Sequence, residues 1–193
     1  MRWKRWELAL AVSLLAAILL CTVSVQSQAE LADKLVRLHV LANSDAEADQ
    51  ALKLRVRDAV LEASEGAETL DAALLETLRQ AAQETVWQAG SRDIVSVSRE
   101  RCWFDTRVYE SFSLPAGYYD AVRVVIGAGA GHNWWCVIYP PLCAGVCEAD
   151  VEALARSAGL SEQEIGLICG KEGYAVRFRL AELWGQLLHW LKG

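Results

Sequence analysis

The residues of this chain best suited to chemistry are its cysteines and histidines. Of six cysteines, Cys136, Cys143 and Cys147 fall close together and near His132. Such a group could ligate zinc, supply a nucleophilic thiol or form a disulfide. Zinc sites use a Cys-x-x-Cys knuckle and a second ligand pair, and the chain has neither, so no metal is expected. A reactive thiol needs an electropositive, partly exposed setting, whereas Cys136 lies inside the apolar run Trp134 to Tyr139, which keeps a thiol protonated. Outside the reducing cytosol neighbouring cysteines pair. Cys136 would meet Cys143 if Pro140-Pro141 turns the chain back, and Cys143 could instead meet Cys147 across one helical turn. Buried or disulfide-bonded cysteine is the reading these spacings favour.

Acid–base chemistry has little to build on. No His-Glu-x-x-His or Gly-x-Ser-x-Gly occurs, and only His39 and His132 precede the C-terminal segment. His39 alternates onto the polar side of its strand, where a solvated or hydrogen-bonded ring is expected. Asp45, Glu47 and Asp49 crowd a helix start, which capping and the helix dipole explain. The glycines Gly127, Gly129 and Gly131 invite a phosphate-loop reading, but such a loop opens a helix, and here an aromatic strand follows. His132 takes the place of the third glycine of a dinucleotide fingerprint. A tight hairpin between two strands is the expectation. Gly166 and Gly170-Lys171 lack P-loop spacing. No cofactor is expected.

The elements that must position these residues can be read from hydrophobic period. Val36, Leu38 and Val40 alternate with Arg37 and His39, giving a strand with one core face. Ser44 and Glu47 fit a capping box opening a helix to about Ser64, with Ala48, Leu52, Val56, Ala59, Val60 and Ala63 in one stripe and Asp49 and Lys53 on the wet side. A second helix follows Gly66, carrying Leu70, Leu74, Leu78, Ala81 and Val86 and stopping at Gly90. Strands are expected at Ile94 to Arg99, at Val122 to Ile126 and at Trp134 to Tyr139, the last apolar on both faces and so central. A short helix at Asp150 to Ser157, a strand through Tyr174, Val176 and Phe178, and an amphipathic helix with Leu180, Leu183, Trp184, Leu187, Leu188 and Leu191 complete the chain. The predicted class is α+β: one domain, an antiparallel sheet, and helices mainly on one face.

At the N-terminus, Arg2, Lys4 and Arg5 precede the apolar run Leu8 to Val25. That order is a basic region followed by an export core, long enough at about 1.5 Å per residue to approach the roughly 30 Å of a bilayer interior. Ser27-Gln28-Ala29 offers small residues for cleavage after Ala29. Residues 1–29 are therefore read as a signal peptide or signal anchor, with cleavage left open, and 30–193 as an extracytoplasmic domain. Leu20 is too bulky before Cys21 for a lipoprotein signal. The formal net charge of −6 becomes more negative without the basic segment, so nucleic acid is not an expected partner.

Two segments are richer in specific residues than a generic core requires. The first is Val36-Arg37-Leu38-His39-Val40-Leu41-Ala42-Asn43-Ser44-Asp45, continued by Asp49-Gln50-Ala51-Leu52-Lys53 and by Leu54-Arg55-Val56-Arg57-Asp58. The second is Leu114-Pro115-Ala116-Gly117-Tyr118-Tyr119-Asp120-Ala121, then Gly129 to Cys143 through Asn133-Trp134-Trp135-Cys136-Val137-Ile138-Tyr139-Pro140-Pro141-Leu142. In composition, order and spacing they resemble the stage II sporulation protein R family, with its R-x-x-V/I-x-A-N-S-D, P-A-G-x-Y and N-W-W-C-V-x-x-P-P-L-C segments. With the N-terminal segment and a tail like Val176-Arg177-Phe178 to Trp184, the resemblance covers nearly the whole chain. Cys102, Cys147 and Cys169, the residues Val108 to Ser111 and the stretch after Cys143 depart from the pattern.

The resemblance implies a non-enzymatic, secreted sporulation signal. It would be made in the forespore of an endospore-forming bacterium and exported into the space between forespore and mother cell, touching membrane only through its N-terminal segment. There it would activate a membrane-embedded aspartic protease of the mother cell, which processes pro-sigma-E. Asn43, Ser44, Asp45, Asn133 and Trp134 are the candidate receptor contacts, weighed against simple capping and turn roles. Trp135, Pro115 and Gly117 are read as structural. Two other classes compete: an exported cell-envelope hydrolase built on Asp45, His39 and a strand-end residue, and a structural or adhesion module.

Overall fold

A computed structural model of the chain describes residues 4–67, 70–144 and 147–170; within them the side chains at 18, 20–25 and 27 are left aside. The chain divides into two compact units. One comprises Leu35–Cys102 and Tyr119–Ala144, and the other comprises the described parts of Met1–Lys34, Trp103–Tyr118 and Gly145–Gly193.

The first unit holds most of a four-stranded sheet. In chain order its elements are strand β1 (Val36–Leu41), helix α2 (Glu47–Ala63), helix α3 (Ala72–Gln88), strand β2 (Val95–Phe104), strand β5 (Gly117–Ile126) and strand β6 (Asn133–Tyr139). Helix α1 (Arg5–Asp33) and the short strands β3 (Arg107–Val108) and β4 (Ser113–Leu114) fall outside it. The sheet order is β2-β5-β1-β6. β1 runs parallel to β5, with Leu38 opposite Val122, and antiparallel to β6, with Leu38 opposite Cys136. The sheet is therefore mixed, correcting the antiparallel expectation. Among the described residues the Trp134–Tyr139 strand lies at the edge of the sheet and not at its centre.

This order also removes the expected hairpin. β5 and β6 are not neighbours, because β1 lies between them, so the glycine-rich link carries the chain across the end of β1. Pairing on both sides explains why β1 is buried from Arg37 through Leu41. The period-two alternation places Arg37 and His39 on one face as expected, but that face is not wet: Arg37 is 0% and His39 8% exposed.

Helices α2 and α3 cover the opposite face together, packing Leu52, Val56, Val60, Leu78, Ala82 and Val86 against Leu38, Val40, Val122, Val124, Ile126, Cys136 and Ile138. Each leucine, valine or isoleucine among them contributes about 1.5–3 kcal/mol on burial. Their starts differ in chemistry. Asp71 caps α3, accepting from the Leu74 amide at 2.8 Å. α2 begins after Ala46 with no side-chain cap, so the predicted Ser44–Glu47 capping box does not form. Gly90 ends the α3 segment at φ +80°, as its type allows.

In the second unit, α1 spans 29 residues and continues through the proposed cleavage position at Ala29. Trp6, Leu8, Leu10, Val12, Leu14, Leu15 and Leu19 are all exposed along it. Among the described residues no helix is long and apolar enough to cross a membrane. β3 and β4 pair in a small hairpin whose Tyr109 and Phe112 rings stack at 4.4 Å. Pro115 is buried just before Gly117 opens β5. Helix α4 (Glu148–Ser157) matches the predicted acidic helix, and helix α5 (Glu162–Ile168) was not foreseen. Ser161 caps α5 by accepting from the Glu164 amide, and the Glu164 carboxylate takes the Lys34 ammonium at 2.8 Å. The predicted strand at 174–178 and the C-terminal amphipathic helix lie outside the described residues.

Candidate functional site

The two motif-rich segments meet at one end of the sheet, where β1 finishes and β6 begins. The chain leaves β5, crosses the end of β1 and enters β6, and the residues after β1 hold that crossing in place. Asn43 Oδ1 accepts the Ala128 amide at 2.9 Å, and the Asn43 carbonyl accepts the Ala130 amide at 3.1 Å. The Ala42 carbonyl accepts from Gly131 at 3.0 Å. Asp45 Oδ1 accepts the His132 amide at 2.6 Å and also engages the His132 ring through Nδ1.

Glycine is required here for two separate reasons. Gly127 and Gly129 take φ of +56° and +61°, the left-handed region that a side chain disfavours. Gly131 needs its missing β-carbon for space, since one would lie 2.5 Å from the Ser44 carbonyl carbon and 3.0 Å from the Ala42 side chain.

The start of α2 supports the same turn from beneath. Asn43 Nδ2 donates to Asp49 Oδ2 at 3.1 Å, and Ser44 Oγ donates to the same oxygen at 2.6 Å. This pull on Ser44 is why it does not cap Glu47. Gln50 Nε2 donates to the Ser44 carbonyl at 2.9 Å. Lys53, predicted on the wet side, is 5% exposed and donates from Nζ to Gln50 Oε1 at 2.6 Å and to the His132 carbonyl at 2.9 Å. Burial lowers its pKa, partly offset by Asp45. A chain of polar bonds thus links the β1 end, α2 and the crossing. Where such a bond is partly buried, it is costly to leave half made.

The start of β6 presents the other candidates. Asn133 lies opposite Leu41, and Trp134 opposite Val40. Neighbouring residues point to opposite faces, so the two are not one patch. Trp134 is 36% exposed, with the Arg57 guanidinium 4.5 Å from its ring centroid. Trp135 stacks on His39, centroids 3.7 Å apart and planes within 11°. Desolvation and the adjacent Arg123 and Arg37 charges push the His39 pKa down to about 4, opposed by a hydrogen bond to Asn133. Asp45 is held below the usual carboxylate range, first by the His132 amide and then by its ring.

The five candidate residues therefore share one end of the sheet but differ in what their polar atoms do. Asn43 and Ser44 spend theirs on the turn. Asp45 engages His132, while His39 stacks on Trp135, so the constellation imagined for a hydrolase, Asp45 with His39, is not assembled. Arg57, Lys53 and His132 were missed by sequence reasoning. The Asp49-Gln50-Ala51-Leu52-Lys53 run was the signal for Lys53, since polar residues three and four apart share a helix side. Midway along β6, the Cys136 sulfur is in contact with that of Cys143, the Cα atoms 6.4 Å apart and within disulfide reach. The chain turns back beyond β6 through a 3-10 turn at Leu142–Ala144.

A mixed α+β module whose unusual residues are devoted to fixing one end of a sheet is what fold and site define. The model of the family "Stage II sporulation protein R" matches residues 32–148, more than half of the chain, and the chain belongs to that family. It is similar to the Stage II sporulation protein R of Bacillus subtilis (strain 168), 37% identical over 121 residues, which are 58% of this chain and 54% of that protein. The chain thus spans about half the length of the curated relative it matches. No solved structure matches it.

Proposed function

We propose that this chain is a secreted sporulation signal. It is made in the forespore, exported into the space between forespore and mother cell, and there activates the mother-cell membrane aspartic protease that processes pro-sigma-E. The observation that carries the reading is membership of the stage II sporulation protein R family, matched across the sheet and its crossing. The basic N-terminal residues and the apolar side chains exposed along α1 support export.

Within that reading the candidate contacts divide. Asn43, Ser44 and Asp45 act by fixing the crossing, and Asn133 by bonding the His39 ring. Trp134 is the residue best placed to touch the receptor, because it is a partly exposed aromatic on a strand that lies at the sheet edge among the described residues, and interface hot spots are enriched in tryptophan.

Co-expression of the chain with the protease and pro-sigma-E in a non-sporulating host tests the proposal, with and without residues 1–29. Cleavage that needs both the chain and its export segment supports a signal acting from outside. Absence of cleavage, with secretion confirmed and a cognate protease present, overturns it.

A further inference from the structure

The sheet face opposite α2 and α3 carries a group of residues that the crossing does not use. His39 and Arg123 are direct neighbours there, opposite one another in the parallel β1–β5 ladder. Each carries a buried polar atom without a hydrogen-bond partner among the described residues, His39 at Nε2 and Arg123 at Nε. Unmade bonds on buried atoms are uncommon and costly, and two on adjacent side chains ask for a shared partner. Nor is the Arg123 charge well satisfied. Glu100 lies 3.7 Å from Nη1, beyond hydrogen-bond range, and the Arg123 side chain remains 40% exposed.

We propose that this face is a carboxylate-binding site, in which Arg123 Nε–H and His39 Nε2 grip the two oxygens of a glutamate or aspartate side chain of a partner polypeptide. Chemistry selects the ligand. A guanidinium edge matches a planar carboxylate, and with Glu100 beside it the site suits a monoanion better than a dianionic phosphate. The two atoms are recessed, so the carboxylate must arrive on a flexible stem, entering along the exposed half of Arg123. That favours an acidic side chain over a main-chain terminus. The half-buried Trp135, stacked on His39, offers an apolar wall to the methylenes of such a stem.

Proton bookkeeping follows from the ring's surroundings. Asn133 hydrogen-bonds the His39 ring, and because Nε2 has no partner among the described residues, that bond falls to Nδ1. The free ring is neutral. The groups around it are Arg37 on β1, Arg123 on β5, and Asn133 and Trp135 on β6, with Glu100 and Cys102 on β2 beyond, beside Arg123. A bound carboxylate adds the negative charge that lets His39 take a proton at Nε2 and donate it, so binding takes up one proton and tightens as pH falls from 7 to 5.

The test uses the purified full chain in mild detergent and an acetylated, amidated Ala/Glu peptide as probe, followed by fluorescence anisotropy and by the NMR signals of the His39 ring. An otherwise identical Ala/Gln peptide is expected to bind at least tenfold more weakly. Arg123→Gln, with its melting temperature unchanged, should lose tenfold or more for the Glu peptide. Glu100→Gln should gain two- to threefold, and bound peptide should raise the pH at which His39 titrates. Equal binding of the two peptides, an unaffected Arg123→Gln variant or an unmoved His39 titration would overturn the site. Inorganic phosphate competing as well as the peptide would overturn its assignment to carboxylate.

Discussion

The side-chain amide of Asn43 fills the space in which a β-carbon on Gly127 would sit. Asn43 Cγ lies 2.8 Å from that position, while its Oδ1 accepts the next amide, that of Ala128. Asparagine and glycine, far apart in sequence, are thus two halves of one contact.

Gly131→Ala is expected to cost about 3 kcal/mol or more, because the new methyl meets the Ser44 carbonyl and backbone cannot yield as a side chain can. Gly66→Ala is the control. Its φ of +73° is left-handed, unlike that of Gly131, but nothing lies within 4 Å of the added carbon, so only the backbone cost of about 1 kcal/mol is expected. Urea unfolding of both variants checks the ranking.

Asn43→Ala should lose about 2–3 kcal/mol, since it leaves the Ala128 amide and one Asp49 bond unmade. Asn43→Asp keeps the acceptor for Ala128 but sets two carboxylates together at Asp49. It is expected to be restored toward the parent as pH falls and one of the two protonates, which a pH series of melting temperatures reads out.

His39 makes stability depend on pH in a definite direction. Its folded pKa of about 4 lies below the ordinary histidine value of 6.5, so between those values the unfolded chain binds more protons. Stability is therefore full above pH 6.5 and declines as pH falls toward 4, by up to roughly 3 kcal/mol. Denaturation midpoints of the parent against His39→Gln should show the slope disappear in the variant.

Trp134→Ala should leave stability within about 1 kcal/mol, because the ring is partly exposed and its Arg57 contact is a surface cation–π pair. In the co-expression assay it is expected to abolish most pro-sigma-E cleavage. A variant that folds normally and signals fully would remove Trp134 from the receptor contact.

Oxidised and reduced protein should differ by about 2–3 kcal/mol if Cys136 and Cys143 are joined, the value expected for closing so short a loop. Mass spectrometry under alkylating conditions, with thiols counted before and after reduction, reads the link directly.

The local elements were legible because period and punctuation are local properties. Leu52, Val56 and Val60 announce their helix, and Gly66 and Gly90 its neighbour's limits. Strand order was not legible. Nothing in the residues of β5 and β6 states that β1 is inserted between them, and a glycine-rich link between two apolar runs reads the same whether it makes a hairpin or a crossing. Alternation reported that Arg37 and His39 share a face but not what lies over it. At the site, Asn43-Ser44-Asp45 and Asn133-Trp134 were visible as unusual. Their convergence with His132, and that of Lys53, depends on contacts across some eighty residues of chain, beyond the reach of any local pattern.

The position of β1 has a consequence for the order of assembly. It is the earliest strand in the chain, yet both of its partners come from the late stretch Gly117–Tyr139. A polypeptide emerging from its N-terminus can build the α2–α3 pair from nearby residues. β1 must wait unpaired until β5 has appeared. Closure of the sheet is then a late event with a large loop-entropy cost, and truncations before Gly117 should leave a chain with helices but no stable sheet.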